Sequence, residues 1–416
     1  MDALVVVALV CLYTFVVIPR PYLAVGLATL LFGTPLLQTW LDWPQYLIRL
    51  LPVILLASAV AWTAIGNQNP SFKGKTSLAY LSLALVPGAL VSLSQNFWYG
   101  AIAAPILYLT LPMAYFIGRR IAGKSLLALM RAVDVLLTAN LVLAIWEWKV
   151  GVDGMLATGI KYGATVRTIN GLIRATGLTL INVDLGLFGA SIALIYIVLL
   201  SVKSPIRPKV EMYFAVSIGL TVVVLSTSRS AMVLVLVGCA TLLCWNIFRA
   251  NARVSFLSLM SAVCLVGFGA YAFVGIGATS SSSLEGRQYV WTHIVSQGLS
   301  FFGLGSGRVG GLSYSSLNPY QSQFVDNMWI SFIVQFGFWG GILGFIALAQ
   351  SIREVWKVRH SNPSYFIYVA AFTFSYLVVG FLVEFGDFPL GLLIFAIVGG
   401  WLSQNQNPSS DCENSG

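Results

Sequence analysis

Apolar stretches long enough, or nearly so, to cross the ~30 Å hydrocarbon core of a bilayer follow one another along most of this chain. They lie near residues 3–18, 22–39, 46–65, 77–94, 99–118, 125–147, 179–200, 212–228, 230–248, 255–277, 327–350, 364–383 and 386–402. In hydrocarbon every backbone N–H and C=O must find its partner within the protein, which leaves helices and closed barrels as spanning structures. The runs are continuous and lack the alternation of barrel strands, so helices follow. The sparse charge agrees: 9% of the 416 residues are charged, against about 25% in a soluble domain, too few to clothe a water-facing surface. The expected fold is all-α, a polytopic transmembrane helical bundle of about 12–13 spans. Asp2 stands where a secretory leader would be basic, and Pro19, Arg20 and Pro21 follow without a small-residue cleavage site, so the first stretch reads as structure.

Lysines and arginines in short connections set the orientation. One alternate set of connections holds Arg20; Lys73 and Lys75; Arg119, Arg120 and Lys124; Lys203, Arg207 and Lys209; Arg249 and Arg253; and Arg353, Lys357 and Arg359, fourteen of the chain's 23 basic residues. That side is assigned to the cytoplasm. The short connections of the other set contain only Arg229, with Arg49 near the start of a span. The net charge of +9 is thus a topology signal spread between spans, not a basic face for nucleic acid. Cys11, Cys239, Cys244 and Cys264 fall in apolar runs and Cys412 in the polar tail, so no disulfide framework, metal-ligand spacing or cofactor is expected. The organisation reads as N-terminal transmembrane helices over 1–147, a first outer loop over 148–178, core helices over 179–277, a large outer loop over 278–326, C-terminal helices over 327–402 and a disordered inner tail over 403–416.

The two outer loops and their flanks carry the chemistry. The tract 174-RATGLTLINVDLGLFGA-190 leads into a helix, 226-STSRS-230 sits where two spans meet, and 284-LEGRQYVW-291, 303-GLGSGR-308 and 326-DNMWISFIVQFGFWG-340 follow. Arg174, Arg229, Arg287 and Arg308 therefore face one compartment, against the usual bias. A guanidinium binds phosphate oxygens through a rigid fork, which suits a polyanion such as a lipid-linked diphosphate. The competing reading has these arginines snorkelling to lipid phosphates or pairing with Asp184, Glu285 or Glu384. Asp326 is a candidate base, and equally a helix cap ahead of Asn327. Asp184 reads as a structural ion-pair partner, and Asp134 as the intrahelical partner of Arg131. Glu384 and Asp387 flank the last outer turn, His293 falls on an expected short loop helix, and His360 is a solvated inner residue. Trp40, Trp43, Trp98 and Trp148 read as interfacial anchors, whereas Tyr314 and Tyr320 are better placed to stack on sugars.

Arg174 followed by Gly177 and Leu178, the SR junction of Ser228 and Arg229, the pair Arg287 and Trp291, and the G-x-G of Gly303 and Gly305 resemble the pattern of the Wzy/WaaL superfamily, which comprises O-antigen polymerases, O-antigen ligases and related O-oligosaccharyltransferases. The resemblance covers roughly residues 165–345. Ligases of this family carry a histidine ten residues or so ahead of a glycine and a further small residue; here Asp326 takes the histidine position, with Gly337 and Gly340 following. That departure points to a polymerase. The resemblance implies a GT-C-like helical fold in the bacterial inner membrane and an inverting, metal-independent glycosyl transfer at the periplasmic face. The implied donor is an undecaprenyl-diphosphate-linked oligosaccharide, the acceptor a sugar hydroxyl, and the partners membrane lipid, a flippase and a chain-length regulator. Asp326 and Arg287 would be catalytic; Arg174, Arg229, Arg287 and Arg308 would bind diphosphate; Asp184, His293, Asn327, Tyr314, Tyr320 and Glu384 would assist. An O-antigen ligase or protein O-oligosaccharyltransferase is the near alternative. An anion transporter is the distant one, and it would call for broken helices and polar residues at mid-membrane.

Overall fold

The computed structural model describes residues 75–121, 123–158, 166, 168–169, 172–179, 181–202, 206–250, 288–294, 296, 300–310, 325, 327–382 and 390–404. Nine long helices run through them: α1 (Lys75–Ser94), α2 (Trp98–Gly118), α3 (Gly123–Ala157), α4 (Asn182–Ser201), α5 (Lys209–Ser226), α6 (Arg229–Ala250), α7 (Met328–Lys357), α8 (Pro363–Val379) and α9 (Leu390–Leu402). Between α3 and α4 lies a two-strand ribbon, β1 (Thr168–Ile169) and β2 (Leu172–Ile173), paired antiparallel with Thr168 opposite Ile173. Each helix falls on one of the apolar stretches read from the sequence. Six of them, α1 to α5 and α7, are long and apolar enough to cross a membrane, and α6, α8 and α9 contain shorter apolar helices. The chain is an all-α polytopic membrane protein. The expected spans at 3–18, 22–39, 46–65 and 255–277 lie outside the described residues.

Helix α4 is the axis of the bundle. Its sequence is apolar on every face, the pattern of a helix enclosed on all sides, and α5, α6, α8 and α9 pack around it. Small residues let the backbones close up: a Cβ on Gly189 would lie 2.8 Å from the Gly219 carbonyl of α5, and one on Gly219 would lie 2.7 Å from the Gly189 carbonyl. Apolar helices in lipid gain by such packing rather than by leaving water. A second layer joins α7 to α1, α1 to α2, and α2 to α9.

Two helices are broken by glycine. Gly151 (φ 74°) interrupts α3 and Gly337 (φ 70°) interrupts α7. The sequence places the end of the third described span at residue 147, yet α3 continues to Ala157. The Glu147 carboxylate at that point is hydrogen-bonded, as described below. Around and past the bend, Val150, Val152 and Met155 pack with Val166 and Ile173 in a small apolar cluster, which is why the helix goes on.

The basic end of the bundle is tied by a charge pair between helices. Arg207, in the α4–α5 connection, bonds the Asp134 carboxylate of α3 and reaches Glu211 at 2.7 Å, while the Tyr196 hydroxyl donates to Asp134 at 2.8 Å. The expected partner Arg131 is instead exposed on the helix surface. A carboxylate only 20% exposed needs a partner that can be buried with it, and the Arg207 side chain, 6% exposed, is that partner. Removing one member of a buried pair typically costs roughly 3–5 kcal/mol, whereas an exposed surface change stays within about 0.5 kcal/mol. Arg207→Ala is therefore expected to lower the thermal unfolding midpoint in detergent substantially and Arg131→Ala to leave it in place. Equal effects from both would contradict the cross-helix pairing.

Candidate active site

Opposite the basic end, the loop arginine of the RATGL tract is fixed by a turn built against α3. Asn140 and Glu147 stand seven residues apart on one face of that helix. The Glu147 carboxylate, 4% exposed, accepts the Thr176 backbone N–H at 2.6 Å, the Thr176 hydroxyl at 3.1 Å and the Gly177 N–H at 2.9 Å. Asn140 Oδ1 accepts the Leu178 N–H at 2.8 Å. Gly177 has φ +54°, and a Cβ there would sit 2.5 Å from Asn140 Oδ1, so the turn requires glycine. Neither Glu147 nor Asn140 was singled out from the sequence. The available signal was a carboxylate within an apolar span, which is costly unless its oxygens are occupied.

That turn delivers Arg174 to the α5–α6 junction. Its Nε donates to the Thr227 hydroxyl at 3.1 Å and its Nη2 to the Thr227 carbonyl at 3.3 Å. A guanidinium offers only donors, so Asn182 turns its amide oxygen towards it, at 2.9 Å from Nη2 and 3.2 Å from Nε. The backbone follows, with Ala175 N–H and Trp148 Nε1 both donating to the Leu225 carbonyl, at 3.2 and 3.1 Å. Thr227 is left-handed (φ 49°) and ends α5; Arg229 opens α6 two residues later. Gly186 lets α4 close on this junction, since a Cβ on it would lie 2.5 Å from Ser228 Cβ. Arg174 and Arg229 are thus carried by one continuous assembly, with Asp184 in the first turn of the adjoining α4.

The GLGSGR motif has a different task. Breaking α7 at Gly337 strands carbonyls before the break and N–H groups after it, and the loop over residues 300–310 takes them up. Leu304 and Gly305 N–H donate to the Val334 and Gln335 carbonyls, at 2.8 and 3.3 Å, and Phe338 and Trp339 N–H donate to the Ser300 and Phe301 carbonyls, at 3.3 and 3.2 Å. The next residues lock the loop onto α1 and α2: Ser306 N–H reaches the Gly88 carbonyl at 2.9 Å, and the Ser306 hydroxyl reaches the Gly100 carbonyl at 2.9 Å. Gln335, 2% exposed, accepts Gly307 N–H at 2.7 Å and donates to Ser331 at 2.8 Å; sequence reading passed over it. The loop's glycines are left-handed at 303, 305, 307 and 310. Arg308 follows, donating to Gln95 in the α1–α2 turn at 3.1 Å.

Arg308 therefore sits on the α1–α2 side, and Arg174 and Arg229 on the α4–α5–α6 side, all towards the same end of the bundle. The helix cap ahead of α7 is Asn327, whose Oδ1 accepts Trp329 N–H at 3.0 Å and Ile330 N–H at 3.1 Å; the capping role left open for Asp326 belongs to its neighbour. His293 lies on a helical stretch over 288–294 as expected, exposed, with its ring parallel to Tyr289 at 6.1 Å. Trp291 packs with Ile294, Val309, Val325 and Val334, seating this stretch against α7 near its break. Arg287, Asp326, Tyr314, Tyr320 and Glu384 lie outside the described residues.

The spacing of Gly337 and Gly340 now has a physical reason. A Cβ at 337 would lie 2.3 Å from the Phe301 carbonyl, and one at 340 would lie 3.1 Å from the Ala84 carbonyl of α1. At Gly341 the nearest atom is Ile333 Cγ1, at 3.4 Å. Backbone strain of about 1–3 kcal/mol, added to that clash, is expected to make Gly337→Ala strongly destabilising. Gly341→Ala, in a helix interior, should be neutral or stabilising. Thermal unfolding of the two variants tests this, and a tolerated Gly337→Ala would refute the plugged break.

No curated protein matches the chain. Residues 214–345 match the family model Wzy_C, described as O-antigen ligase; this stretch, which is similar to that family, runs from α5 through the Thr227 junction and past the Gly337 break.

Proposed function

We propose that the protein is a lipid-linked oligosaccharide polymerase, of O-antigen or exopolysaccharide type, working at the periplasmic face of the bacterial inner membrane. The observation that carries this reading is the fastening of Arg174 to the junction that opens on Arg229, within and beside the O-antigen-ligase-type domain. The fixed Arg174 guanidinium, with Arg229 at the start of α6 beside the same junction, suits the two phosphates of a polyprenyl diphosphate. Arg287 joins them, and Arg308 assists from the α1–α2 side.

The acceptor sugar hydroxyl attacks the anomeric carbon of the donor glycan, forming the new glycosidic C–O bond as the bond to the diphosphate oxygen breaks. A single displacement inverts the anomeric centre. The hydroxyl proton passes to the Asp326 carboxylate, and the charge growing on the leaving diphosphate is met by the arginines, whose placement before reaction begins is what lowers the barrier. These groups answer both chemical needs of the step, so the reaction as written uses no metal. Asp326 in place of the ligase histidine favours the polymerase over the ligase or protein O-oligosaccharyltransferase. Against an anion transporter stands the Gly337 break, whose backbone groups are taken by the chain's own loop and not turned to a central cavity.

Purified protein given lipid-linked repeat units alone is expected to form polymer ladders; transfer only when lipid A core or a protein acceptor is added would reassign it to the ligase or protein O-oligosaccharyltransferase class. A charge-assisted contact is worth roughly 1.5–3 kcal/mol. Alanine at Arg174, Arg229 or Arg287 should thus lower transfer by roughly 10- to 100-fold each at wild-type protein level. Wild-type chain lengths from all three would sink the diphosphate assignment. Asp326→Asn removes basicity while retaining size, and full activity in that variant would rule out the base.

A further inference from the structure

Among the described residues two that are not glycine adopt a left-handed backbone, Asn96 (φ 60°) and Thr227 (φ 49°). Asparagine tolerates that region, and Asn96 lies in the turn between α1 and α2. Threonine does not: its branched Cβ crowds the backbone there, and a β-branched residue with positive φ marks a place where something else outweighs local strain. A helix end of this kind ordinarily takes glycine. A glycine at 227 would still present its carbonyl to Arg174 Nη2. What it would lack is the hydroxyl that accepts Arg174 Nε at 3.1 Å.

We infer that Thr227 is a positioning residue for Arg174, retained at a strained helix end because its hydroxyl and carbonyl together fix the plane and reach of the guanidinium. The two acceptors engage Nε and Nη2, the same edge of the fork that the Asn182 amide oxygen meets, and Thr227 closes this clamp from the junction side. Glu147 and Asn140 hold the turn that follows Arg174 in the chain, Thr227 holds its head, and the position of the charge is set from both ends. Because Thr227 is also two residues from Arg229, the same left-handed turn sets the spacing between the two cations. The inference rests on the reading of Arg174 as a ligand of the donor diphosphate.

The test uses the full-length protein, with lipid-linked repeat units as probe, initial rates at varied donor concentration, and thermal unfolding in the same detergent. Thr227→Gly relaxes the backbone and removes the hydroxyl; it is expected to lose roughly 10- to 100-fold in kcat/KM while its unfolding midpoint is unchanged or higher. Thr227→Ser relaxes the branching but keeps the hydroxyl, and is expected to work at close to the wild-type rate. In an Arg174→Ala background Thr227→Gly should add no further loss. If Thr227→Gly keeps the wild-type rate while Arg174→Ala is impaired, the positioning role is overturned and the diphosphate reading stands. If Arg174→Ala keeps the wild-type rate, the reading beneath it falls and the inference with it. A Thr227→Gly loss that comes with a lowered midpoint, that serine does not rescue, or that adds to Arg174→Ala, assigns Thr227 to the scaffold and overturns the inference.

Discussion

A backbone group that loses its helical partner inside an apolar bundle has no water to turn to, and leaving it unpaired costs several kcal/mol. That constraint organises the half of the molecule built on α1, α2 and α7. Gly337 opens α7, and the only stable outcome is for another segment to supply matching donors and acceptors. The residues from Ser300 to Gly305 do so with backbone alone, and glycine at 303 and 305 allows the left-handed backbone that brings them close. The motif that looks like a ligand cradle is thereby spent on the protein itself: the N–H groups of Leu304, Gly305, Ser306 and Gly307 all donate to protein acceptors. What the motif delivers to the site is Arg308, at the point where the loop leaves α7 for the α1–α2 turn.

The other half follows the same rule with side chains in place of backbone. Between β2 and α4 the chain crosses the top of the bundle in a turn whose N–H groups have no strand or helix to join. Glu147 and Asn140 receive them, so a buried carboxylate is stable there because three donors converge on it. Charged-group hydrogen bonds of this kind are the strong ones. The consequence is functional as well as structural: a turn held this firmly projects Arg174 in one direction only, onto the α5–α6 junction.

The helices were legible because hydrocarbon imposes continuous apolar runs, and each of the nine long helices sits on one. The shared end of Arg174, Arg229 and Arg308 was legible from the lysine and arginine bias of the connections. What stayed hidden depends on contacts between segments far apart in the chain. Asp134 reads locally as a partner for Arg131, three residues away, and the pairing with Arg207 exists only once α3 and the α4–α5 connection are brought together. Gln335 looks like one polar residue in an apolar run until Gly307 arrives beneath it. On sequence alone the cap reads as Asp326, and the geometry of the first turn of α7 gives that role to Asn327.

Depth along the helices separates an interfacial enzyme from a conduit. At 1.5 Å per residue, Gly88 lies about 20 Å from Lys75 and Gly337 about 24 Å from Arg353, so the plugged break sits well past the middle of a core of ~30 Å. Thr227 is about 27 Å from Lys209, and Glu147 about 35 Å from Lys124, at or beyond the far edge. The polar framework therefore starts within reach of the far interface and rises through it. A transporter needs its polar site near the midplane, so that both sides can reach it in turn. An enzyme acting on a lipid diphosphate, the proposed reading, needs it where headgroups lie, and helix length puts Glu147 and Thr227, which hold Arg174, towards that end of their spans.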